Sequence, residues 1–165
     1  MKPTASVWAT GQQQSRHQRK DRYVAASMRH PAKMLPAIAA KVIDTYSAPG
    51  ELVVDPMCGI GTTLVEAVHL ERHAVGIEFE QRWADLALAN LAHARRQGAP
   101  GTGRVITADS RSIGALLPEL AGRVALVLTS PPYGAATHGH VRSSRDSGQP
   151  GVTKWNGCGS PSVSA

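Results

Sequence analysis

The fold of this 165-residue chain is decided by the stretch LVVDPMCGIGTT at residues 52–63. Three apolar residues lead into Asp55, a pattern typical of a short buried strand in a parallel sheet. Gly59 and Gly61 follow, and glycine permits a sharp turn and a close approach of the backbone to a ligand. Either of the two threonines that end the stretch can cap a helix. The stretch therefore predicts a strand, a tight loop with room for a ligand, and a helix.

Outward from this stretch, strand and helix patterns alternate between residues 30 and 129. Short connections between alternating elements predict an α/β fold with a parallel, doubly wound sheet and helices on both faces. Only about four strands are recognisable, so the sheet is expected to be incomplete. The predicted helices are 31–47, 62–70, 81–96 and 113–120, and the predicted strands are 52–55, 73–78, 104–109 and 124–129.

The net charge of +6 is concentrated near the beginning of the chain. Residues 1–30 contain six basic residues and one acidic residue, whereas residues 31–130 carry a net charge of −1. We therefore expect residues 1–29 to be a basic disordered arm, which either neutralises nucleic-acid phosphates or is a solvated tail. The sequence has no apolar run long enough for a transmembrane helix and no signal peptide, so we expect a cytoplasmic protein without membrane contact.

Metal and disulfide chemistry are not expected. The two cysteines, Cys58 and Cys158, are too far apart to suggest a zinc site or a disulfide framework, and the seven histidines are scattered. Cys58 lies in the glycine loop without an adjacent base, which disfavours a nucleophilic role.

An acidic residue ends each of the first three strands: Asp55, Glu78 and Asp109. A carboxylate at Asp55 repels phosphate and attracts a cation, and Leu64 replaces the third glycine of a dinucleotide-binding loop. The loop therefore favours a ligand with an ammonium and a sulfonium group over a dinucleotide. Glu78, 23 residues after Asp55, is suitably placed to bind ribose hydroxyls, and Asp109 an adenine amino group. Each acid can alternatively be a helix cap.

The fourth strand leads into Ser130-Pro131-Pro132-Tyr133. Proline has no N–H and a fixed φ, so this loop leaves the sheet rigidly with free carbonyl groups. Such a loop suits a site that holds a planar amino group under an aromatic ring. The alternative is a rigid surface turn.

Four segments together resemble those of the amino-group DNA methyltransferases, which transfer a methyl group from S-adenosylmethionine to cytosine N4 or adenine N6. The segments are HPAKM at 30–34, PGELVVDP at 49–56, GIGTT at 59–63 and SPPY at 130–133. The resemblance covers residues 30–134 and implies a Rossmann-like class I methyltransferase domain, followed by an irregular tail over residues 135–165.

The resemblance also implies roles for individual residues. Ser130 and the Pro131 carbonyl would accept hydrogen bonds from the target amino group, and Tyr133 would stack on a flipped base. Serine at the first position of the loop favours cytosine N4. Trp83 either contacts the adenine ring or belongs to the core. The implied catalytic residues are Ser130, Pro131, Pro132 and Tyr133, and those binding S-adenosyl-L-methionine are His30, Lys33, Asp55, Gly59, Gly61, Thr62, Glu78 and Asp109.

The implied partner is DNA, in DNA methylation of the restriction-modification kind. RNA is the alternative, because tRNA guanosine-N2 methyltransferases share a related Pro-Pro-Tyr loop and the same motif order. A non-catalytic fragment that binds nucleic acid through its arm is a third interpretation, and the basic flanks disfavour a small-molecule substrate. Because the family's sheet has more strands than are recognisable here, we expect a C-terminally truncated domain.

Overall fold

The computed structural model describes residues 7–10, 12–30 and 33–131. The predicted tail at residues 135–165, together with Pro132 and Tyr133, lies outside this range. The described residues form a four-stranded sheet flanked by helices. In chain order the elements are α1 (Ser15–Arg19), α2 (Pro36–Tyr46), β1 (Leu52–Asp55), α3 (Thr62–His69), β2 (His73–Glu78), α4 (Gln81–Arg96), β3 (Thr102–Thr107), α5 (Ile113–Leu116) and β4 (Val124–Val127).

The sheet is parallel throughout, with the strand order β3-β2-β1-β4. Asp55 at the end of β1 pairs with Gly76 of β2, and Val54 pairs with Val127 of β4. The chain winds outward from β1 to β3 and then crosses back to the other side of β1. The switch in winding therefore lies between β1 and β4, and open α/β sheets bind their ligands at the carboxyl ends of such strands.

The two faces of the sheet are covered unequally. Helices α2, α3 and α4 contribute to one core cluster, in which Ile43 and Leu64 are fully buried with Val53. On the other face Val54 and its neighbours pack against the segment between β3 and β4. Helices thus lie on both faces, and the predicted α/β fold with a parallel sheet is confirmed.

Several element boundaries differ from the predicted ones. Helix α2 begins at Pro36 and not at Pro31, and β4 ends at Val127, two residues early. β3 ends at Thr107, two residues before Asp109. The helix expected over residues 113–120 ends at Leu116, and a separate 3₁₀ turn spans Pro118–Leu120. Proline disfavours helical geometry in the residue before it, which explains the break at residue 117.

The expectation of a disordered arm is wrong for its described part. Residues 12–30, here called the N-terminal strap, contain α1 and a 3₁₀ turn at Ala25–Arg29. Arg19, Tyr23 and Ser27 of the strap are buried. These polar side chains are buried because each finds a hydrogen-bond partner on the domain, as described below. Among the described residues, no helix has the length and apolarity needed to cross a membrane.

Candidate cofactor and catalytic site

The loop between β1 and α3, residues 56–61, is here called the glycine loop. Gly59 and Gly61 have φ values of +53° and +77°, a left-handed conformation that disfavours other residues. The Cys58 N–H donates to the carbonyl of Ile77 at 2.9 Å and so anchors the loop on β2. A Cβ atom on Gly76 would lie 2.6 Å from Leu64, so only glycine lets α3 and the loop approach β2 this closely.

Glu78 links the end of β2 to the glycine loop. One carboxylate oxygen accepts a hydrogen bond from the Gly59 N–H at 2.8 Å, and the other accepts from the Glu80 N–H at 2.9 Å. A carboxylate oxygen has room for a second donor, so each oxygen can still accept a hydroxyl. The arrangement suits a ligand with two neighbouring hydroxyl groups, such as a ribose.

Asp55 is the most deeply buried acid at this edge, with 3% of its surface exposed. Burial raises the pKa of its carboxyl group, and the Thr63 hydroxyl and the Met57 N–H, which donates to Asp55 at 3.1 Å, offset only part of that effect. A cationic ligand beside Asp55 would favour the ionised form. The site is therefore electrostatically suited to an ammonium or sulfonium group.

The end of β4 lies beside the end of β1. The Leu128 N–H donates to the Val54 carbonyl at 3.0 Å, so the chain leaves β4 beside the end of β1. Thr129 follows and is half-buried. Ser130 and Pro131 come next and are exposed. The first two residues of the predicted catalytic loop therefore leave the sheet next to the predicted cofactor site.

Asp109 has a different environment. Its carboxylate accepts from the Arg111 guanidinium at 2.5 and 2.9 Å and from the Arg111 N–H at 3.0 Å. These hydrogen bonds lower the pKa of Asp109 to about 2. Asp109 caps the short turn Ser110–Ser112, which is the alternative role that the sequence left open. Binding of an adenine amino group stays a prediction.

The residues before α2 reach the glycine loop. A Cβ atom on Gly59 would lie 3.4 Å from the His30 ring, so this ring borders the loop. The same ring meets Trp83 edge-on, with centroids 4.5 Å apart. Lys33 donates to the His30 carbonyl, and burial lowers the pKa of Lys33. His30 is thus brought to the site, and Lys33 orders the backbone beside it.

Thr62 does not cap α3 as expected. The cap residue is Gly61, which has no side chain to bond the first N–H groups of this helix. Instead the buried Thr62 hydroxyl accepts a hydrogen bond from Arg19 at 3.2 Å. Its predicted contact with the cofactor therefore has to coexist with this bond.

Three further residues at the site were missed by the sequence analysis. Phe79 follows Glu78 directly and is 74% exposed, an unusual position for a large apolar ring. Its position directly after a strand-end acid is the sequence signal that could have found it. Arg19 and Asn90 contact the glycine loop region from distant parts of the chain, and nothing in the local sequence indicated this.

Neither metal nor thiol chemistry is indicated at this edge. Among residues 7–10, 12–30 and 33–131, no group of three or more potential metal ligands is present. Cys58 is buried, and burial raises the pKa of its thiol. A thiol in this state is a poor nucleophile.

Residues 1–89 match the model of the DNA methylase family for amino-group (N6 and N4) methyltransferases. The match covers more than half of the chain, and the chain belongs to this family. S-adenosyl-L-methionine is the methyl donor of these enzymes, and the predicted cofactor is confirmed. The positive-φ glycines, the Glu78 carboxylate and the buried Asp55 fit this cofactor.

Two characterised relatives are similar to this chain. The tRNA (guanine(10)-N2)-dimethyltransferase of Methanocaldococcus jannaschii is 31% identical over 110 residues, which are 66% of this chain and 31% of the relative. The 4-amino-L-phenylalanine/4-methylamino-L-phenylalanine methyltransferase of Streptomyces pristinaespiralis is 42% identical over 88 residues, which are 50% of this chain and 25% of the relative. The chain thus spans about a third or less of each.

Two solved structures from Pyrococcus horikoshii are also similar. A putative transferase matches with a TM-score of 0.41 and 20% identity, over 52% of this chain and 32% of the other. TYW2 in complex with MeSAdo matches with a TM-score of 0.39 and 25% identity, over 53% and 31%.

Proposed function

We propose that this chain transfers a methyl group from S-adenosyl-L-methionine to an exocyclic amino group of a DNA base, cytosine N4 or, alternatively, adenine N6. The observation that supports the proposal is the pairing of β4 with β1: Val54 pairs with Val127 and accepts from the Leu128 N–H, so the chain runs toward Ser130 next to the strand that ends at Asp55. Direct transfer requires the methyl donor and the acceptor nitrogen to meet at about 3–3.5 Å. The glycine loop follows β1 and the predicted catalytic loop follows β4, so both begin at the switch in winding of the sheet. This arrangement supports a close approach of the methyl donor to the acceptor nitrogen.

The chemistry required of the chain is mainly positioning. The lone pair of an exocyclic amino group is delocalised into the ring, so the nitrogen is a weak nucleophile. Hydrogen bonds accepted by the Ser130 hydroxyl and the Pro131 carbonyl localise that lone pair, and Tyr133 stacks on the flipped base. The bound cofactor supplies a methyl group on a positively charged sulfur. Asp55 attracts the positive charge, and Glu78 accepts hydrogen bonds from the ribose.

The names of the two relatives support transfer to nitrogen. One acts on guanine N2 and the other on a 4-amino group of phenylalanine, and both groups are attached to aromatic rings. The reaction in either name is compatible with a loop that holds an amino group attached to an aromatic ring. The family match favours DNA as the substrate among such compounds.

A tRNA guanine is the second candidate substrate. The 31% identity to a tRNA (guanine(10)-N2)-dimethyltransferase favours it specifically, since that match extends over two thirds of this chain. Arg16, Lys20 and Arg29 of the N-terminal strap are exposed and can approach the phosphates of either nucleic acid.

The test is transfer of radioactive methyl from S-adenosyl-L-methionine to duplex DNA, single-stranded DNA and tRNA, followed by nucleoside analysis. N4-methylcytosine or N6-methyladenine supports the proposal, and N2-methylguanosine in tRNA replaces it with the second candidate. Ser130→Ala is the control and should abolish the signal. Salt-dependent DNA binding without any methyl transfer would identify a non-catalytic fragment instead.

A further inference from the structure

The N-terminal strap makes a buried polar network with the two helices that surround the glycine loop. Arg19 is 3% exposed, Glu66 of α3 is 3% exposed and Asn90 of α4 is fully buried. Buried polar groups of this kind are costly unless every hydrogen bond is made. The hydrogen-bond partners of these three side chains therefore show which segments the network fixes in place.

Asn90 connects the strap to the glycine loop. Its side-chain oxygen accepts from the Val24 N–H at 2.9 Å and from the Ser27 hydroxyl at 3.0 Å. Its side-chain NH₂ donates to the carbonyl of Ile60 at 2.8 Å. Ile60 lies between the two glycines with positive φ, so one amide fixes the sharply turning part of the loop to the strap.

Arg19 makes a second connection at the other end of the loop. Its guanidinium donates to the Thr62 hydroxyl at 3.2 Å and to the Met34 carbonyl, and it stacks over the Tyr23 ring at 4.8 Å. The first turn of α3 and the segment before α2 are thereby held at a fixed separation. Both segments carry residues predicted to bind the cofactor.

We propose that the N-terminal strap holds the glycine loop in its cofactor-binding conformation, with Arg19 and Asn90 as the positioning residues. The inference rests on the proposed function, in which this loop binds S-adenosyl-L-methionine. A structural role alone would not need contacts at residues 60 and 62. Packing of the strap is already secured one turn further along α3, where Arg22 and Tyr23 bind Glu66 at 2.5 and 2.6 Å.

That second contact provides a matched control. Tyr23→Phe removes a buried hydrogen bond of the strap but keeps the ring beneath Arg19 and touches no loop residue. Arg19→Lys cannot reach both of its partners, and Asn90→Asp keeps the acceptor for Val24 and Ser27 but loses the donor to Ile60. All three variants are expected to lower the Tm.

The experiment is calorimetric titration of the whole chain with S-adenosyl-L-methionine at a temperature where each variant is folded. Arg19→Lys and Asn90→Asp should raise the Kd about tenfold, and Tyr23→Phe should leave it within about twofold. Equal Kd values for all three variants would overturn the inference while leaving the proposed function intact. A wild-type chain that does not bind the cofactor would overturn both.

Hydrogen exchange of the wild-type chain tests the same coupling without any substitution. Because coupling between two sites is reciprocal, cofactor binding should slow exchange of the Val24 and Ser27 amides as well as those of the loop. Protection confined to the glycine loop would contradict the inference. This measurement stays decisive if either variant fails to fold.

Discussion

Asp55 and Asp109 follow strands of the same parallel sheet, yet their carboxyl groups have opposite pKa shifts. Burial at the end of the central strand β1 raises the pKa of Asp55, whereas Arg111 lowers that of Asp109, after the edge strand β3, to about 2. A central strand has neighbours on both sides that exclude water, and an edge strand does not. The same sequence signal, an acid at the end of a strand, therefore produces a desolvated charge at one position and a solvated ion pair at the other.

The sharpest test of this difference is Asp55→Asn. A hydrogen bond to a charged group contributes about 1.5–3 kcal/mol, so loss of the buried charge should weaken cofactor binding roughly 10- to 100-fold. The Tm should stay the same or rise, because a buried carboxylate that is difficult to ionise has been removed. Calorimetry and thermal unfolding together measure both effects. Unchanged affinity would remove Asp55 from the cofactor site.

Glu78→Ala should have the next largest effect. The substitution removes two acceptors for the ribose and leaves the Gly59 N–H without its partner, so the cofactor Kd should rise about tenfold. Glu78→Gln is the control, since it keeps one acceptor oxygen for Gly59. An affinity that both variants retain would contradict the ribose assignment.

The raised pKa of Asp55 predicts a pH dependence of cofactor binding. The positively charged ligand prefers the ionised carboxylate, so affinity should fall as the pH is lowered through a range above that of an ordinary aspartate. Stability should show the opposite trend, because the protonated form favours folding and that contribution is lost as the pH rises through the folded-state pKa. Calorimetric titrations with the cofactor at several pH values, for the wild type and for Asp55→Asn, test this prediction. The fall in affinity at low pH should be absent from the variant.

Arg111→Ala should have the smallest effect. The ion pair is exposed, so the Tm should change by no more than about 1–2 °C. The pKa of Asp109 should return from about 2 toward its ordinary value, which carboxyl NMR signals can follow. In the wild type, the stabilising contribution of this carboxylate is present at neutral pH and lost as the pH falls through about 2. A large loss of stability would mean that the edge position is more buried than described.

Much of the fold could be predicted because its elements carry local signals. Helix α4 was predicted with the bounds Gln81–Arg96, and the ends of β1 and β2 were marked by their acids. These elements have apolar periodicity and clear boundaries.

The N-terminal strap could not be predicted in this way, because its burial depends on polar pairs far apart in the sequence. Arg19 and Glu66 are charged residues, and a local sequence pattern predicts that charged residues lie on the surface. Their burial is made favourable by hydrogen bonds from Arg19 to Thr62, from Tyr23 to Glu66 and from Ser27 to Asn90, which span 43 to 63 residues. At the candidate site, the strand-end acids and the glycines are visible in the sequence, whereas Arg19 and Asn90, which contact Thr62 and Ile60 from distant parts of the chain, are not.

The position of the strap has a consequence for the order in which the chain folds during synthesis. Residues 12–30 leave the ribosome before their partners on α3 and α4, which emerge 43 to 72 residues later. Contacts this distant in sequence form after local ones. We therefore expect the sheet and the helices α3 and α4 to assemble first. The strap then docks in a late step, in which Arg19 bonds to Thr62 and Val24 bonds to Asn90.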